Sequence, residues 1–392
     1  MSNQHPSTHR RPRRAPSRTK VLLVALPVVA ATAGGAYAFS AFGSEAPSGK
    51  QRTVAAGAES TPTLVPSTAK PSAKPSTGPS TAEPQATRSA ASKPKSAATP
   101  QVSNGGCAVA PADSIWRKKV NSLPVHPKSS AYVRSIGASS HVHPDFGSGE
   151  WDGKPFGIPI TELKPGQAPV SVSFDYADES DKGPYPIPPN ARIEGGPRGD
   201  GDRHVIAWDK SACKVYELYD AHRRSNRHWT AQSGAIFNLR SDELRPQGWT
   251  SADAAGLPIL PGLARYDEAG TGTINHALRI TVPRSQSAHL WPARHDASDS
   301  SNRSLPPMGL RLRLKASTNI SGLPPQARAV AQALKTYGAI VADNGSAWYI
   351  SGTQDARWNN EQLNALKNLR GSDFEAVDVS RLQTSPNSGA AR

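Results

Sequence analysis

The sequence predicts an α+β domain over residues 104–382, with a predominantly antiparallel β core of sandwich or barrel-like form. Two observations lead to this fold class. Short runs rich in Val, Ile and aromatic residues follow one another between turn residues, with no helical segment between them. After residue 325 the apolar residues recur at helical spacing, which indicates helices near the C-terminus.

Seven segments carry the strand pattern, namely residues 170–174, 204–209, 213–220, 235–239, 274–282, 289–291 and 309–315. In the last segment, leucines alternate with Arg311, Arg313 and Lys315. A strand directs alternate side chains to opposite faces. This segment therefore predicts one buried face and one basic surface.

Two helices and a hairpin are predicted in the C-terminal part. The first helix occupies residues 324–338, where Gly338 suits a helix C-terminus. Residues 343–345, Asp-Asn-Gly, predict a type I′ turn between two strands. Residues 359–371 form the second helical segment, and residues 383–392 are expected to be a disordered tail.

The net charge of +15 is spread unevenly over the chain. Residues 1–20 carry +6, residues 45–103 carry +4, and the remainder from residue 104 carries only +5. The part able to fold is therefore mildly basic, and it has no nucleic-acid-binding motif. We expect no nucleic-acid partner.

The N-terminal region predicts export. Residues 1–20 form a basic cytoplasmic tail, and the uncharged residues 21–39 are long enough for a transmembrane anchor. The alternative is a cleaved signal peptide, because residues 36–38 read Ala-Tyr-Ala, and the protein is then secreted. Residues 45–103, rich in Pro, Ser, Thr, Ala and Lys, predict a disordered stalk. A single-pass membrane protein with an extracytoplasmic C-terminal domain follows.

The two cysteines, Cys107 and Cys213, both lie in the predicted exported part. An oxidising compartment favours a disulfide between them. Such a bond closes a loop of about 100 residues and contributes about 4 to 5 kcal/mol in the chain-entropy model.

Residues 248–268 predict an ordered functional loop, because glycines and prolines fix an irregular backbone around polar and aromatic side chains. In this loop we assign Trp249 to substrate binding and Asp253 to catalysis. The partner carboxylate is Glu217, which shares a strand face with Tyr219, a further binding residue. The alternative for Glu217 is an ion-paired or solvated strand residue.

Three further residues complete the predicted site. His276 is either a general base at a cleft edge or a satisfied core histidine. Arg294 and His295 follow an apolar run and suit the binding of an anionic or hydroxyl-rich ligand. His141 and His143 have metal-ligand spacing but lack an identifiable third ligand. We therefore predict no metal site and no cofactor.

Several segments resemble a group of exported bacterial and fungal proteins of unassigned activity. These segments are residues 176–181, 216–221, 248–268, 292–295 and 306–309. The resemblance implies a secreted or surface domain and assigns no catalytic residue.

The first functional hypothesis is an extracytoplasmic carbohydrate-active enzyme, a polysaccharide hydrolase or lyase, whose partner is a polysaccharide or cell-wall glycan. The second is a noncatalytic wall- or glycan-binding domain, which uses the same aromatic residues without paired carboxylates. The third is a surface scaffold without enzymatic activity.

Overall fold

A computed structural model of the protein describes residues 106–392. The predicted cytoplasmic tail 1–20, the membrane segment 21–39 and the stalk 45–103 lie outside the described residues. Within 106–392, none of the helices has the length and apolarity needed to cross a bilayer. The disulfide between Cys107 and Cys213 is confirmed, with a Cα–Cα distance of 5.3 Å.

The α+β fold class is confirmed, and strands contribute more residues than helices. The strands are β1 His143–Asp145, β2 Glu150–Trp151, β3 Lys154–Pro155, β4 Ile160–Glu162, β5 Ser171–Phe174, β6 Val205–Asp209, β7 Lys214–Tyr219, β8 His222–Arg223, β9 His228–Ala231, β10 Ser233–Asn238, β11 Leu278–Val282, β12 Arg311–Leu314, β13 Ala339–Asn344, β14 Tyr349–Ser351 and β15 Phe374–Val377. The α-helices are α1 Ser129–Ile136, α2 Tyr266–Ala269, α3 Pro325–Thr336 and α4 Asn360–Asn364.

The largest sheet has six strands in the order β1-β14-β11-β13-β12-β15. One face of it is apolar: Leu278, Ile280 and Val282 of β11 pack into the main hydrophobic core, which also receives Val330 and Leu334 of α3. The opposite face carries the buried arginines Arg279 of β11 and Arg311 of β12, in register with Ile340 of β13. We call it the polar face, and its charged groups make it the candidate for a site.

A second sheet has the strand order β10-β7-β6-β4, and a third has the order β5-β9-β8. These two sheets share a hydrophobic cluster, in which Val205 and Leu218 of the second sheet join Trp229 of the third. The segment 248–268 is largely buried and contacts both larger sheets. Its Ile259 and Leu260 join the core of the second sheet, and its Ala255 donates a backbone hydrogen bond to Ala342 of β13. The predicted irregular loop therefore packs between the two sheets, and we call residues 248–268 the wedge segment.

The C-terminal strands pair differently from a simple hairpin. β13 and β14 follow one another in the chain, but each pairs with β11, which lies between them. The Asn-Gly signal of residues 344–345 therefore marks a connection that crosses the end of a third strand. Long-range pairing with β11 outweighs the local turn preference.

The predicted basic surface on β12 is not formed, because Arg311 and Arg313 are buried. Arg311 donates to the backbone oxygens of Tyr337 and Ile115, and Arg313 donates to Glu375 and to the backbone oxygen of Val120. Buried guanidinium groups persist only when their donors are satisfied in this way. The alternation was identified correctly, but both faces of the strand are covered.

Residues 383–392, expected to be disordered, instead lie against the domain. Ala390 and Ala391 form β-bridges with Ser114 and Gln383, respectively, and Ala391 is buried. The indole of Trp291 donates a 2.8 Å hydrogen bond to the Ser388 backbone oxygen. Backbone pairing with distant segments orders a tail whose own sequence is polar.

Candidate functional site

The polar face of the six-stranded sheet carries an ordered array of charged side chains. Asp145 at the end of β1 pairs in register with Ser351 on β14. The Ser351 hydroxyl in turn accepts a 2.7 Å hydrogen bond from Arg279 on β11. Neighbouring strands are about 4.8 Å apart, so Asp145 and Arg279 are separated by two strand spacings, about 10 Å between Cα atoms.

Asp343 reaches the same face because of a β-bulge. The register between β11 and β13 shifts after Ile280, so that Ile280 pairs with Val341 and Thr281 pairs with Asp343. Without the extra residue, strand alternation would direct the Asp343 side chain into the apolar core. The bulge instead places it 3.2 Å from the Arg279 guanidinium.

Arg279 is the central cation of the site and is almost completely buried. Its Nε and Nη2 donate to the two carboxylate oxygens of Asp253 at 2.9 and 2.8 Å. This bidentate pair joins the wedge segment 248–268 to the sheet, and the charge of Asp253 holds the pKa of Arg279 above its usual value despite burial.

His204, just before β6, supplies a second buried cation. Its Nδ1 lies 2.6 Å from a carboxylate oxygen of Glu194, and its Nε2 lies 3.1 Å from the Ala252 backbone oxygen. Both neighbours are acceptors, so the imidazole donates from both nitrogens and is protonated. Although burial opposes the charge, Glu194 raises the pKa of His204 to about 9.

Four carboxylates with access to solvent belong to this region. Asp145 and Asp202 are exposed, and Glu194 and Asp343 are partly accessible. The charges of Glu194, Arg279 and Asp202 all act on Asp145, and Asp202 also acts on His204 and Asp343. These groups therefore lie close enough to interact. We call Asp145, Glu194, Asp202 and Asp343 the carboxylate cleft.

The surroundings of these carboxyl groups shift their pKa values in opposite directions. Asp145 reaches solvent, but neighbouring protein atoms surround much of its carboxyl group, and this desolvation, together with repulsion from Glu194, raises its pKa to about 6. Burial and repulsion from Asp253 raise the pKa of Asp343 to about 7. Burial alone would also raise the pKa of Glu194, but protonated His204 outweighs it and lowers the value below normal. One site thus holds both a proton donor and an ionised carboxylate.

An exposed tryptophan lies on a hairpin that contacts the segment following Glu194. Trp151 belongs to the β2–β3 hairpin and is 77% exposed. The same hairpin is tied to the segment bearing Glu194 and Asp202 by an ion pair of 2.6 Å between Lys154 and Asp200. An exposed aromatic ring is a suitable surface for stacking a sugar ring.

Glu217 and Asp253, the predicted acid–base pair, are neighbours whose charges interact, but both are completely buried. Glu217 accepts backbone N–H hydrogen bonds from Ile259 at 2.9 Å and Leu260 at 2.9 Å, and Asp253 is held by Arg279. Each carboxylate therefore fixes the wedge segment in place. Tyr219, on the same strand face as Glu217, lies near His204 at the edge of the cleft, with ring centroids 5.8 Å apart.

The other predicted site residues lie elsewhere. His276 is buried and contacts Glu268 at 2.9 Å and the Ala277 backbone oxygen at 2.8 Å. Arg294 is also buried, and it donates to the backbone oxygens of Arg245 and Pro386. The structure does not bring these two residues to the carboxylate cleft.

Trp249 and His295 occupy the outer side of the wedge segment. Trp249 is half-buried, and the guanidinium of Arg245 lies 5.4 Å from the centre of its ring. His295 contacts the Ala254 backbone oxygen at 2.9 Å through its Nδ1. Their assignment to substrate binding stays a prediction.

Sequence reasoning missed Asp145, Glu194, Asp202 and Asp343. The sequence predicts a turn at Asp343, and it assigns no role to Asp145, which lies two residues after His143. His143 instead stacks on Tyr349 with ring centroids 4.1 Å apart, and burial lowers its pKa to about 4. Within residues 106–392 no three His, Cys, Asp or Glu side chains converge on a position suited to a metal ion.

Comparison with known proteins gives no match: neither a protein-family model, nor a curated protein, nor a solved structure is similar to the chain. The resemblance to exported bacterial and fungal proteins therefore stays a prediction, and the functional argument depends on the geometry.

The buried charges predict that stability decreases between about pH 5 and pH 9. Burial raises the pKa of Glu217 to about 7, so the folded state retains a proton that the unfolded state loses above its ordinary pKa near 4.5. Stability therefore declines as pH rises through this window. His204 acts in the same direction, because its stabilisation is complete below 6.5 and is lost as pH rises towards 9. For Glu217 alone the effect is on the order of 3 kcal/mol.

Thermal denaturation of the full-length protein followed by circular dichroism from pH 5 to pH 9 measures this dependence. Glu217→Gln, which cannot ionise, should flatten the profile between pH 5 and pH 7. A Tm that rises with pH, or an unchanged profile in Glu217→Gln, contradicts the assignment.

Proposed function

We propose that the protein is an extracytoplasmic carbohydrate-active enzyme, a polysaccharide hydrolase or lyase tethered at the cell surface. The proposal is supported by a group of solvent-accessible carboxylates beside the buried cations Arg279 and His204, in which the pKa of Asp145 is raised and the pKa of Glu194 is lowered. Cleavage of a glycosidic bond needs this pair: a carboxylic acid to protonate the leaving oxygen and a carboxylate to act as base or nucleophile.

The roles follow from the environments of the two groups. Asp145 retains its proton up to about pH 6 and is the general acid. Glu194 stays ionised because His204 is protonated beside it, and it is the base or nucleophile. In a lyase the same pair removes a proton from the sugar and protonates the departing oxygen.

The buried carboxylates act as positioning residues in this proposal. Glu217 fixes the backbone of the wedge segment, and Asp253 on that segment orients Arg279. Arg279 in turn binds Ser351, the register partner of Asp145. These hydrogen bonds and strand pairs form a continuous chain of contacts, which holds the strand that bears the general acid Asp145 in position.

A noncatalytic glycan-binding domain is the second candidate, and the exposure of Trp151 favours it. Exposed aromatic rings bind sugars by stacking, and this interaction needs no ionised pair. The two candidates differ in one respect: only the enzyme produces new chain ends.

The test uses the full-length protein on a panel of neutral, cationic and anionic polysaccharides. Released reducing ends report hydrolysis, and ultraviolet absorbance of unsaturated products reports a lyase. Cleavage of at least one polymer is the expected result. Binding on a glycan array without cleavage overturns the enzyme in favour of the binding domain, and the absence of both favours a surface scaffold.

A further inference from the structure

A second pocket, of about 400 Å³, lies at the ends of β4 and β6 beside α2 and the segment that follows β14. Its walls include residues near the disulfide, such as Cys107 and Val109. None of the four residues of the carboxylate cleft lines it. Its volume falls in the range of small-ligand sites, about 300 to 1,000 Å³.

The pocket is lined by five basic side chains and four acidic ones. The basic side chains are Arg117, Arg192, Lys210, Arg265 and Arg357, and the acidic ones are Glu162, Asp267, Glu268 and Asp355. Every carboxylate has a cationic partner: Lys210 pairs with Glu162, Arg265 and His276 pair with Glu268, and Arg357 pairs with Asp267 and Asp355. Because Arg357 is shared by two carboxylates, five basic and four acidic side chains leave a net charge of +1 with His276 neutral (5 − 4).

Two of the arginines that line the pocket have no carboxylate partner among the described residues. Arg117 and Arg192 form no ion pair within the described residues. Arg192 donates to the amide oxygen of Gln354, a neutral partner that orients the group without neutralising it. The uncompensated charge of this pocket is therefore positive.

The pocket also presents aromatic rings and amides. Trp208 and Tyr266 both line it, covered on one side by Lys210 and Arg357 at 4.6 Å from the respective ring centres. Asn275 and Gln354 add side-chain amides. Aromatic faces combined with amide and guanidinium groups match the apolar faces and hydroxyl edges of a sugar.

We infer that this pocket is a second binding site, which takes a saccharide bearing an anionic group, with Arg117 and Arg192 holding the anion. A guanidinium fork binds carboxylate and phosphate alike, so both sources fit the same chemistry. Binding here does not depend on catalysis in the carboxylate cleft, and its test is independent of the proposed function.

Titration calorimetry of the full-length protein with a galacturonic acid trimer, with the methyl ester of that trimer and with glucose 6-phosphate tests the inference. We expect binding of the trimer or of the phosphate, weakened by salt, and no binding of the neutral ester. Arg117→Gln combined with Arg192→Gln should raise Kd by about a hundredfold or more, which corresponds to about 2.8 kcal/mol, because two charge-assisted hydrogen bonds are lost.

Arg328→Gln is the matched control, because Arg328 is an exposed arginine of α3 outside the pocket. Its Kd should equal that of the unaltered protein. Preference for the trimer identifies a carboxylate site, and preference for glucose 6-phosphate identifies a phosphate site. Equal binding by the double variant and the control, or no binding of either anionic probe, overturns the inference.

Discussion

Asp145→Asn should reduce polysaccharide cleavage by about 10³-fold, because an amide cannot donate the proton that the leaving oxygen requires, and general acid catalysis contributes about 10² to 10⁴ in rate. The substitution should leave folding unchanged, since the Asp145 side chain is exposed and asparagine has the same shape. The rate of reducing-end release on the polymer that the unaltered protein cleaves fastest measures the effect. An unchanged Tm shows that the variant is folded.

The pH profile provides an independent readout. In the unaltered protein, cleavage should decline as pH rises through about 6, where Asp145 loses its proton. That limb should disappear from the residual activity of Asp145→Asn. Asp175→Asn, an exposed aspartate outside the cleft, is the control and should retain full activity. Full activity in Asp145→Asn would remove this residue from the mechanism.

Arg279→Gln should lower the free energy of unfolding by about 3 to 5 kcal/mol, the cost of leaving a buried charge without its partner. Asp253 is 0% exposed and accepts both of its charge-assisted hydrogen bonds from Arg279. Asp343 loses its nearest cation in the same variant. Denaturant-induced unfolding followed by tryptophan fluorescence measures the change.

Two further variants separate this effect from the loss of any surface arginine. Arg357→Gln breaks ion pairs of an arginine that is 53% exposed, and it should lower the free energy of unfolding far less than Arg279→Gln does. Adding Asp253→Asn to Arg279→Gln should restore part of the lost stability, because no ionised group then remains unpaired. An Arg279→Gln variant as stable as Arg357→Gln would show that the buried pair contributes little.

Much of the fold was predictable because strand and helix periodicity are local. Residues 204–209, 213–220 and 309–315 each contain an observed strand, and the helix after residue 324 ends before Gly338 as expected. Of the eleven strand pairings in the described residues, seven are antiparallel, in line with the predicted predominance. The two-residue and three-residue strands β1 to β4 and β8 escaped prediction because they are too short to show a period.

The candidate site was only partly predictable. The sequence predicts an ordered segment at residues 248–268, and in the structure the charge of Asp253 on this segment acts on Glu217. Their burial was not foreseen, because a carboxylate that accepts backbone hydrogen bonds inside a protein has the same sequence as one that faces water. Nothing in the sequence indicates that Asp343 belongs to the site, since its orientation depends on a bulge that forms only when β11 and β13 pair.

The sequence by itself determined the elements, the α+β class and the pairing of the two cysteines, because these depend on residue spacing and on composition. Only the tertiary structure decided which carboxylates are satisfied by buried cations and which are accessible. That distinction arises where two sheets meet: residues distant in the chain contribute the desolvation and the opposing charges that set each pKa, and no single segment contains them.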